Sequence, residues 1–173
     1  MRYILVIAVL FSLLPLLSSD EGCVEVREIY YPSGQLKEEA EAWVVVGEQA
    51  IYHGAAQRFS EKGVLVEAGS YQMGKRSGHW RFWSESGILE IEANYSAGIG
   101  LMTLLSPEGA KLAQGPVNER SYFGDWTEWY PSGRIHAKGE FIDNEMNGEW
   151  IFFSDEDSPR RQIAVFKNGE RQQ

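Results

Sequence analysis

Histidines and acidic residues are the side chains of this sequence that could bind a metal ion or transfer protons. The chain has three histidines, His53, His79 and His136. None of them has a cysteine, aspartate or glutamate at the spacing that zinc sites use. A solvent-facing position on a strand accounts for each histidine better, and we therefore expect no metal site.

Acidic residues also cluster in two short turns, at 143–145 and 155–157. A calcium loop needs further oxygen ligands at alternate positions, a glycine and a distal glutamate, and both turns lack them. Glu90, Glu92 and Glu128 could supply carboxylates for glycoside hydrolysis, but they fall on exposed strand positions that recur along the chain. The sequence has no Gly-x-Ser-x-Gly, phosphate loop or dinucleotide fingerprint. It thus predicts a protein that is not an enzyme and needs no cofactor.

The overall charge narrows the possible partners. The 173 residues carry a formal net charge of −9. An acidic surface repels phosphate backbones and anionic lipid, which argues against nucleic-acid binding and against adhesion to a membrane surface. Aromatic residues make up 13% of the chain and glycines number 18, a combination that favours strands and tight turns.

The start of the chain has the form of a secretory signal peptide. Arg2 precedes an apolar run at 4–17, and Ser18 and Ser19 supply small residues for cleavage. The run is shorter than the roughly 20 residues of a spanning helix. We expect a signal peptide at 1–19, a linker at 20–25 and a folded domain at 26–173. The mature protein would be periplasmic, held in the cell envelope or secreted, with no membrane span.

Cys23 is the only cysteine, so the domain has no internal disulfide. A bacterial lipoprotein carries an aliphatic residue three positions before its modified cysteine, with small residues between. Here residues 20–22 are Asp-Glu-Gly. This mismatch argues against lipid on Cys23 and leaves lipid anchoring as the alternative.

A repeated pattern of glycines organises the domain. The unit is clearest at 124–135, where Gly-x-Trp precedes a second aromatic residue, then Ser-Gly and an aliphatic residue. The first glycine of the unit recurs at Gly54, Gly78, Gly100, Gly124 and Gly148. The second recurs at Gly34, Gly63, Gly87, Gly109 and Gly133, at intervals of 29, 24, 22 and 24 residues. A period of this length indicates a repeat architecture.

Other residue types keep fixed positions in this frame. Two residues after the first glycine come Ala56, Trp80, Met102, Trp126 and Trp150. Eight after the second glycine come Ala42, Tyr71, Tyr95, Val117, Phe141 and, with Asp157 in place of the sixth glycine, Val165. Eleven after it come Gly74, Gly98, Asn144 and Asn168, which suit left-handed turns. The segments between turns have strand length and no helical spacing.

These features predict an all-β fold, an elongated antiparallel sheet of about six β-hairpins with a period of about 24 residues. A lone hairpin cannot bury a face, so neighbouring hairpins should stack Trp80, Trp126 and Trp150 into one apolar stripe. Small residues opposite leave room for the rings: Ala40, Gly69, Ala93, Gly115 and Gly139. We assign a structural role in the repeat to Gly54, Gly63, Gly78, Gly87, Gly124, Gly133, Gly148 and these three tryptophans.

The units resemble the MORN-type repeat in its variant form, as found in bacterial proteins of the YwqK antitoxin-like family. Residues 78–98 match that pattern closely, including Leu89, Glu92 and Tyr95, and residues 124–147 match it nearly as well. The resemblance implies stacked hairpins that serve as interaction or scaffolding surfaces, with no catalytic residues. Some members resemble antitoxins paired with a nuclease toxin, a cytoplasmic role that the signal peptide does not fit.

The sequence therefore predicts an exported, non-enzymatic repeat protein that binds another protein. The alternative is a carbohydrate or cell-wall binding module, in which exposed aromatic rings stack on sugars. That alternative needs aromatic residues outside the core on one surface, and the candidates are Trp43, Tyr52 and Tyr122.

Overall fold

The computed structural model describes residues 22–173 and contains one open antiparallel sheet of 13 strands, each paired with its neighbours in sequence. The strands are β1 (Cys23–Tyr30), β2 (Leu36–Val44), β3 (Ile51–Phe59), β4 (Leu65–Gln72), β5 (Lys75–Trp83), β6 (Leu89–Ser96), β7 (Ile99–Leu105), β8 (Lys111–Val117), β9 (Gly124–Trp129), β10 (Ile135–Ile142), β11 (Glu145–Phe153), β12 (Arg161–Lys167) and β13 (Glu170–Arg171). No helix occurs within 22–173. The predicted all-β sheet of six hairpins is confirmed, with β13 as a short addition.

Two predictions concern the start of the chain. The predicted signal peptide at 1–19 lies outside the described residues. Strand β1 begins at Cys23, so the first strand includes residues that the sequence placed in the linker at 20–25.

The hairpins turn at the second glycine of each unit. Gly34, Gly63, Gly87, Gly109 and Gly133 all have φ between +80° and +88°. Each of these glycines donates its N–H to the carbonyl three residues earlier at 2.9 Å. A residue with a Cβ is strained at such a φ, which explains the period that the sequence shows.

Successive hairpins are joined by two-residue returns in four places. Both central residues have positive φ at 73–74, 97–98, 143–144 and 168–169, as a type I′ turn requires. In the last return Asn168 has the predicted left-handed conformation, with φ +50°, but the register differs by one residue. Gly169, rather than Asn168, corresponds to Gly74 and Gly98.

The same one-residue shift affects the last hairpin. The Ser154 N–H donates to the carbonyl of Arg160, whereas the Ser84 N–H donates to that of Ile88. The loop of the last hairpin is therefore two residues longer. The one-residue bulge that lies next to the loop in the other hairpins is absent, so Trp150 lies opposite Ala164. The prediction that Val165 occupies the apolar position was therefore wrong. Val165 is 49% exposed, and Phe166 packs on Trp150 with ring centroids 6.5 Å apart.

The tryptophans form the core on one face of the sheet, which we call the core face. Trp80, Trp126 and Trp150 are at most 4% exposed. Each indole covers a glycine of the preceding strand so closely that a Cβ there would overlap the ring; these glycines are Gly69, Gly115 and Gly139. Each indole N–H donates to the carbonyl of the residue after that glycine, at 3.0, 3.2 and 3.0 Å.

The buried residues form one continuous cluster, as predicted, but the indoles do not stack on one another. Phe141 separates Trp126 from Trp150, with ring centroids 5.7 and 5.1 Å away. The strands between Trp80 and Trp126 contribute Tyr95, Met102 and Val117, all buried. Tyr95 and Val117 each lie opposite the first glycine of a unit, Gly78 and Gly100, where there is room for a large side chain. Met102 stands at the position that tryptophan has in other units.

The return at 97–98 offers a stability prediction. Ala97 has φ +52°, a conformation that disfavours residues with a Cβ and that asparagine adopts more readily. We expect Ala97→Asn to stabilise the protein by about 0.5–1 kcal/mol in urea unfolding. The control Ala110→Asn changes an exposed alanine outside the left-handed region and should have no effect. Equal effects of the two variants would contradict the explanation.

Candidate functional site

At its N-terminal end, the core face has small residues where other parts of it have tryptophan. The tryptophan position is alanine in β3, Ala56, and the residue opposite it in β2 is Ala40. Next to Ala42, nearer the end of the sheet, lies a hollow of about 700 Å³. We call it the N-terminal hollow, lined among others by Arg27, Glu38, Glu48 and Tyr52.

Tyr52 is held firmly at the side of this hollow. Its hydroxyl donates to the carboxylate of Glu38, and its ring stacks on Tyr71 with centroids 5.1 Å apart. Burial and the hydrogen bond to Glu38 raise the pKa of the Tyr52 phenol, so that it stays protonated at physiological pH. The phenol therefore offers a fixed ring edge and a neutral hydroxyl to a ligand.

An ionic network centred on the buried carboxylate of Glu67 lies next to the hollow and joins β3, β4 and β5. Glu67 is 4% exposed and its carboxylate pairs with Arg58 and Arg76. The Arg76 guanidinium lies 4.6 Å from the Trp80 ring centroid and 5.2 Å from that of Phe82. Burial disfavours its charge, but Glu67, Tyr95 and Tyr71 together outweigh that effect, and the pKa of Arg76 is raised. The network fixes one arrangement of charges on a face that is otherwise aromatic.

These groups can form ion pairs and hydrogen bonds with a polar side chain. They include carboxylates, guanidinium groups and phenols, but no group of three or more His, Cys, Asp or Glu residues within 22–173 is placed to hold a metal ion. The histidines lie apart from one another and from the hollow's charges. His79 is 3.5 Å from Glu92, His136 is 3.2 Å from Glu128, and His53 packs near Trp43.

The structure does not bring the three candidate stacking residues together. Tyr52 lines the hollow on the core face. Trp43 lies opposite Ile51, the residue before Tyr52, and neighbouring residues of a strand point to opposite faces. Tyr122 packs on Trp126, with ring centroids 4.8 Å apart, and joins the core. Of the three residues, only Tyr52 belongs to the hollow.

Sequence reasoning missed Glu38, Glu67 and Arg76. A signal was present, because Glu38 and Glu67 stand at the register position that Phe82 and Ile91 occupy further along. A charged residue at a core position marks either a buried network or a binding site.

Comparison with protein families supports the repeat assignment. Residues 26–42 and 76–97 match the family described as the MORN repeat variant. Over these two segments the chain is similar to MORN-type repeats. The matched segments coincide with most of the hairpins β1–β2 and β5–β6, at the N-terminal hollow and directly after it. No curated protein matches the chain. Within the described residues, no helix is long and apolar enough to cross a membrane.

The ionic network can be tested through Glu67. Replacing Glu67 by Gln leaves two guanidinium groups without their counter-charge, and we expect a loss of about 2 kcal/mol in urea unfolding. The matched control is Glu92→Gln, which removes a carboxylate from the exposed pair with Arg81 and should cost less than about 1 kcal/mol. A neutral Glu67→Gln variant would show that the network does not stabilise the fold.

Proposed function

We propose that this protein is an exported, non-enzymatic MORN-type repeat protein that binds another protein at the N-terminal hollow. The hollow carries the proposal, because it interrupts a face that apolar side chains cover from β5 onward. Tyr52 and Glu38 are held by the hydrogen bond between them, so binding would not need to order these two side chains. A protein partner could place a polar side chain between Arg27 and Glu38.

The compartment in which the protein acts limits the class of protein that it can bind. The resemblance to antitoxin-like proteins suggests a toxin as the partner. The signal peptide that the sequence predicts favours instead a partner outside the cytoplasm. We favour a partner in the cell envelope or beyond it, and we expect mass spectrometry of the protein from that fraction to show loss of the first 19 residues. A full-length chain confined to the cytoplasm would contradict export.

Site-specific photo-crosslinking tests the binding surface. A photoreactive residue in place of Gln49, which lines the hollow, should crosslink to one discrete protein in producing cells. The same residue in place of Ile142 is the control, because Ile142 is exposed on the opposite face. Glu38→Ala should abolish the crosslink from position 49 and leave folding intact. Equal crosslinking from both positions would contradict the proposed surface.

Two further variants, Tyr52→Ala and Trp43→Ala, separate a protein partner from a glycan. In affinity electrophoresis, a polysaccharide gel should not retard the wild type. Retardation that disappears in Tyr52→Ala would assign the hollow to a sugar instead. Retardation that disappears only in Trp43→Ala would place a sugar site on the opposite face.

A further inference from the structure

The two ends of the sheet differ in how they protect their edges. The last strand, β13, has only two residues, both charged and exposed, and is followed by polar residues. A short charged strand is a common protection against pairing with another chain. Strand β1 has eight residues, and its outer edge pairs with no strand within 22–173.

Strand β1 carries three charged residues, Glu25, Arg27 and Glu28, but lacks other features that block edge pairing. It contains no proline and no lysine, and the only register shift in its pairing with β2 lies at Ile29 and Tyr30, near its end. Val24 and Val26 are 48% and 52% exposed. Its backbone donors and acceptors on the outer side therefore form a regular template for one more strand.

The charges of β1 are complementary to those of the same strand in a second copy. Glu25 and Arg27 lie on the same face, since strand side chains alternate, and neither forms an ion pair within 22–173. If two copies of β1 pair antiparallel about a twofold axis at Val26, each Glu25 lies opposite the other copy's Arg27. The same register places Val26 against Val26 and Cys23 against Ile29.

We propose that two copies of the protein associate through β1, in this register, to form one continuous sheet across both molecules. An isologous twofold contact closes on itself, so the assembly stops at a dimer, and β13 protects both outer ends. The core faces lie on the same side of the joined sheet. The two N-terminal hollows, which include Arg27, then lie side by side across the axis. This inference does not rest on the proposed partner.

Charge reversal tests the register through the mass of the purified protein, measured by light scattering over a range of concentrations. In Arg27→Glu, each of the two Glu25–Arg27 pairs across the dimer axis becomes a pair of glutamates. We expect the dimer dissociation constant to rise at least about tenfold. Glu25→Arg should have a similar effect. The double variant E25R/R27E restores both opposite-charge pairs and should bring the constant back to within about threefold of the wild type. The control Glu149→Arg reverses an exposed charge on β11 and should leave the dimer unchanged.

Cysteine crosslinking gives a second readout. Cys23 and residue 29 of one chain are about 20 Å apart along the strand, too far for an internal disulfide. In the proposed register they face each other across the axis, so Ile29→Cys should form a covalent dimer on mild oxidation. The control Glu28→Cys faces Val24 and should crosslink far more slowly. A monomeric wild type, or a dimer that resists both charge reversals, would overturn the proposal. So would equal crosslinking of the two cysteine variants.

Discussion

Replacing Trp150 by alanine should destabilise the protein by about 3–5 kcal/mol, the largest loss that we expect from any single substitution. Trp150 is fully buried, and its ring contacts Phe141, Phe152 and Phe166. Truncation removes these contacts, leaves a cavity and deprives the Glu140 carbonyl of the indole N–H. Domains of this size have a total stability of about 5–15 kcal/mol, so the loss would be a large share of it.

Urea unfolding followed by circular dichroism measures this loss, and Ile163→Ala provides the control. Ile163 lies on the strand beside Trp150, in β12, but is 45% exposed. Its truncation should cost less than about 1 kcal/mol. A similar cost for both variants would show that the aromatic core does not hold the C-terminal hairpins together.

The repeat architecture also predicts where the loss is felt. In a sheet whose strands pack mainly against their sequence neighbours, stability is approximately a sum of local contributions. Hydrogen exchange in Trp150→Ala should therefore speed up most in β9 to β12 and least in β1 to β4. Uniform acceleration along the whole chain would mean that the sheet unfolds as a single unit.

The sequence predicted the sheet well because glycine has a conformational reason to recur. The hairpin glycines sit at φ near +85°, where other residues are strained, so their period is visible without any structure. The tryptophans are visible for a related reason, since each one needs a small residue beneath it. Both signals are local, and both give the strand order directly because successive hairpins pair with each other.

The features that the sequence did not reveal depend on register and on contacts between hairpins. The shift at Val165 arises because the last hairpin loop is two residues longer than the others, while the one-residue bulge after it is absent. The residue types do not show this net shift of one residue. The ionic network around Glu67 joins three strands, so no single unit contains its pattern. In β3, Ala56 stands where other units have tryptophan or methionine. That substitution is visible in the sequence, but the fixed charges beside it are not.

The pairing of each indole with its glycine leads to a second large effect. Gly139 lies outside the left-handed region of φ, so alanine is compatible with its backbone. A Cβ at this position would overlap the Trp150 ring. The ring cannot move away easily, because its N–H is bonded to Glu140 and Phe141 contacts it at 5.1 Å between centroids. We expect Gly139→Ala to cost about 3 kcal/mol in urea unfolding, at the upper end of the cost of overpacking.

A double-mutant cycle with a less disruptive partner substitution separates the steric effect from any general intolerance of alanine. Trp150→Leu removes the part of the ring that covers Gly139 and leaves an apolar side chain in the core. In that background Gly139→Ala should cost less than about 1 kcal/mol, which gives a coupling free energy of about 2 kcal/mol. The control is Gly133→Ala, where φ is +83° and nothing lies near the added Cβ. Its cost of about 1–2 kcal/mol comes from the backbone and should be the same in both backgrounds. If Gly139→Ala costs as much without the indole as with it, the glycines beneath the rings serve the backbone, and contact with the indole is not what selects them.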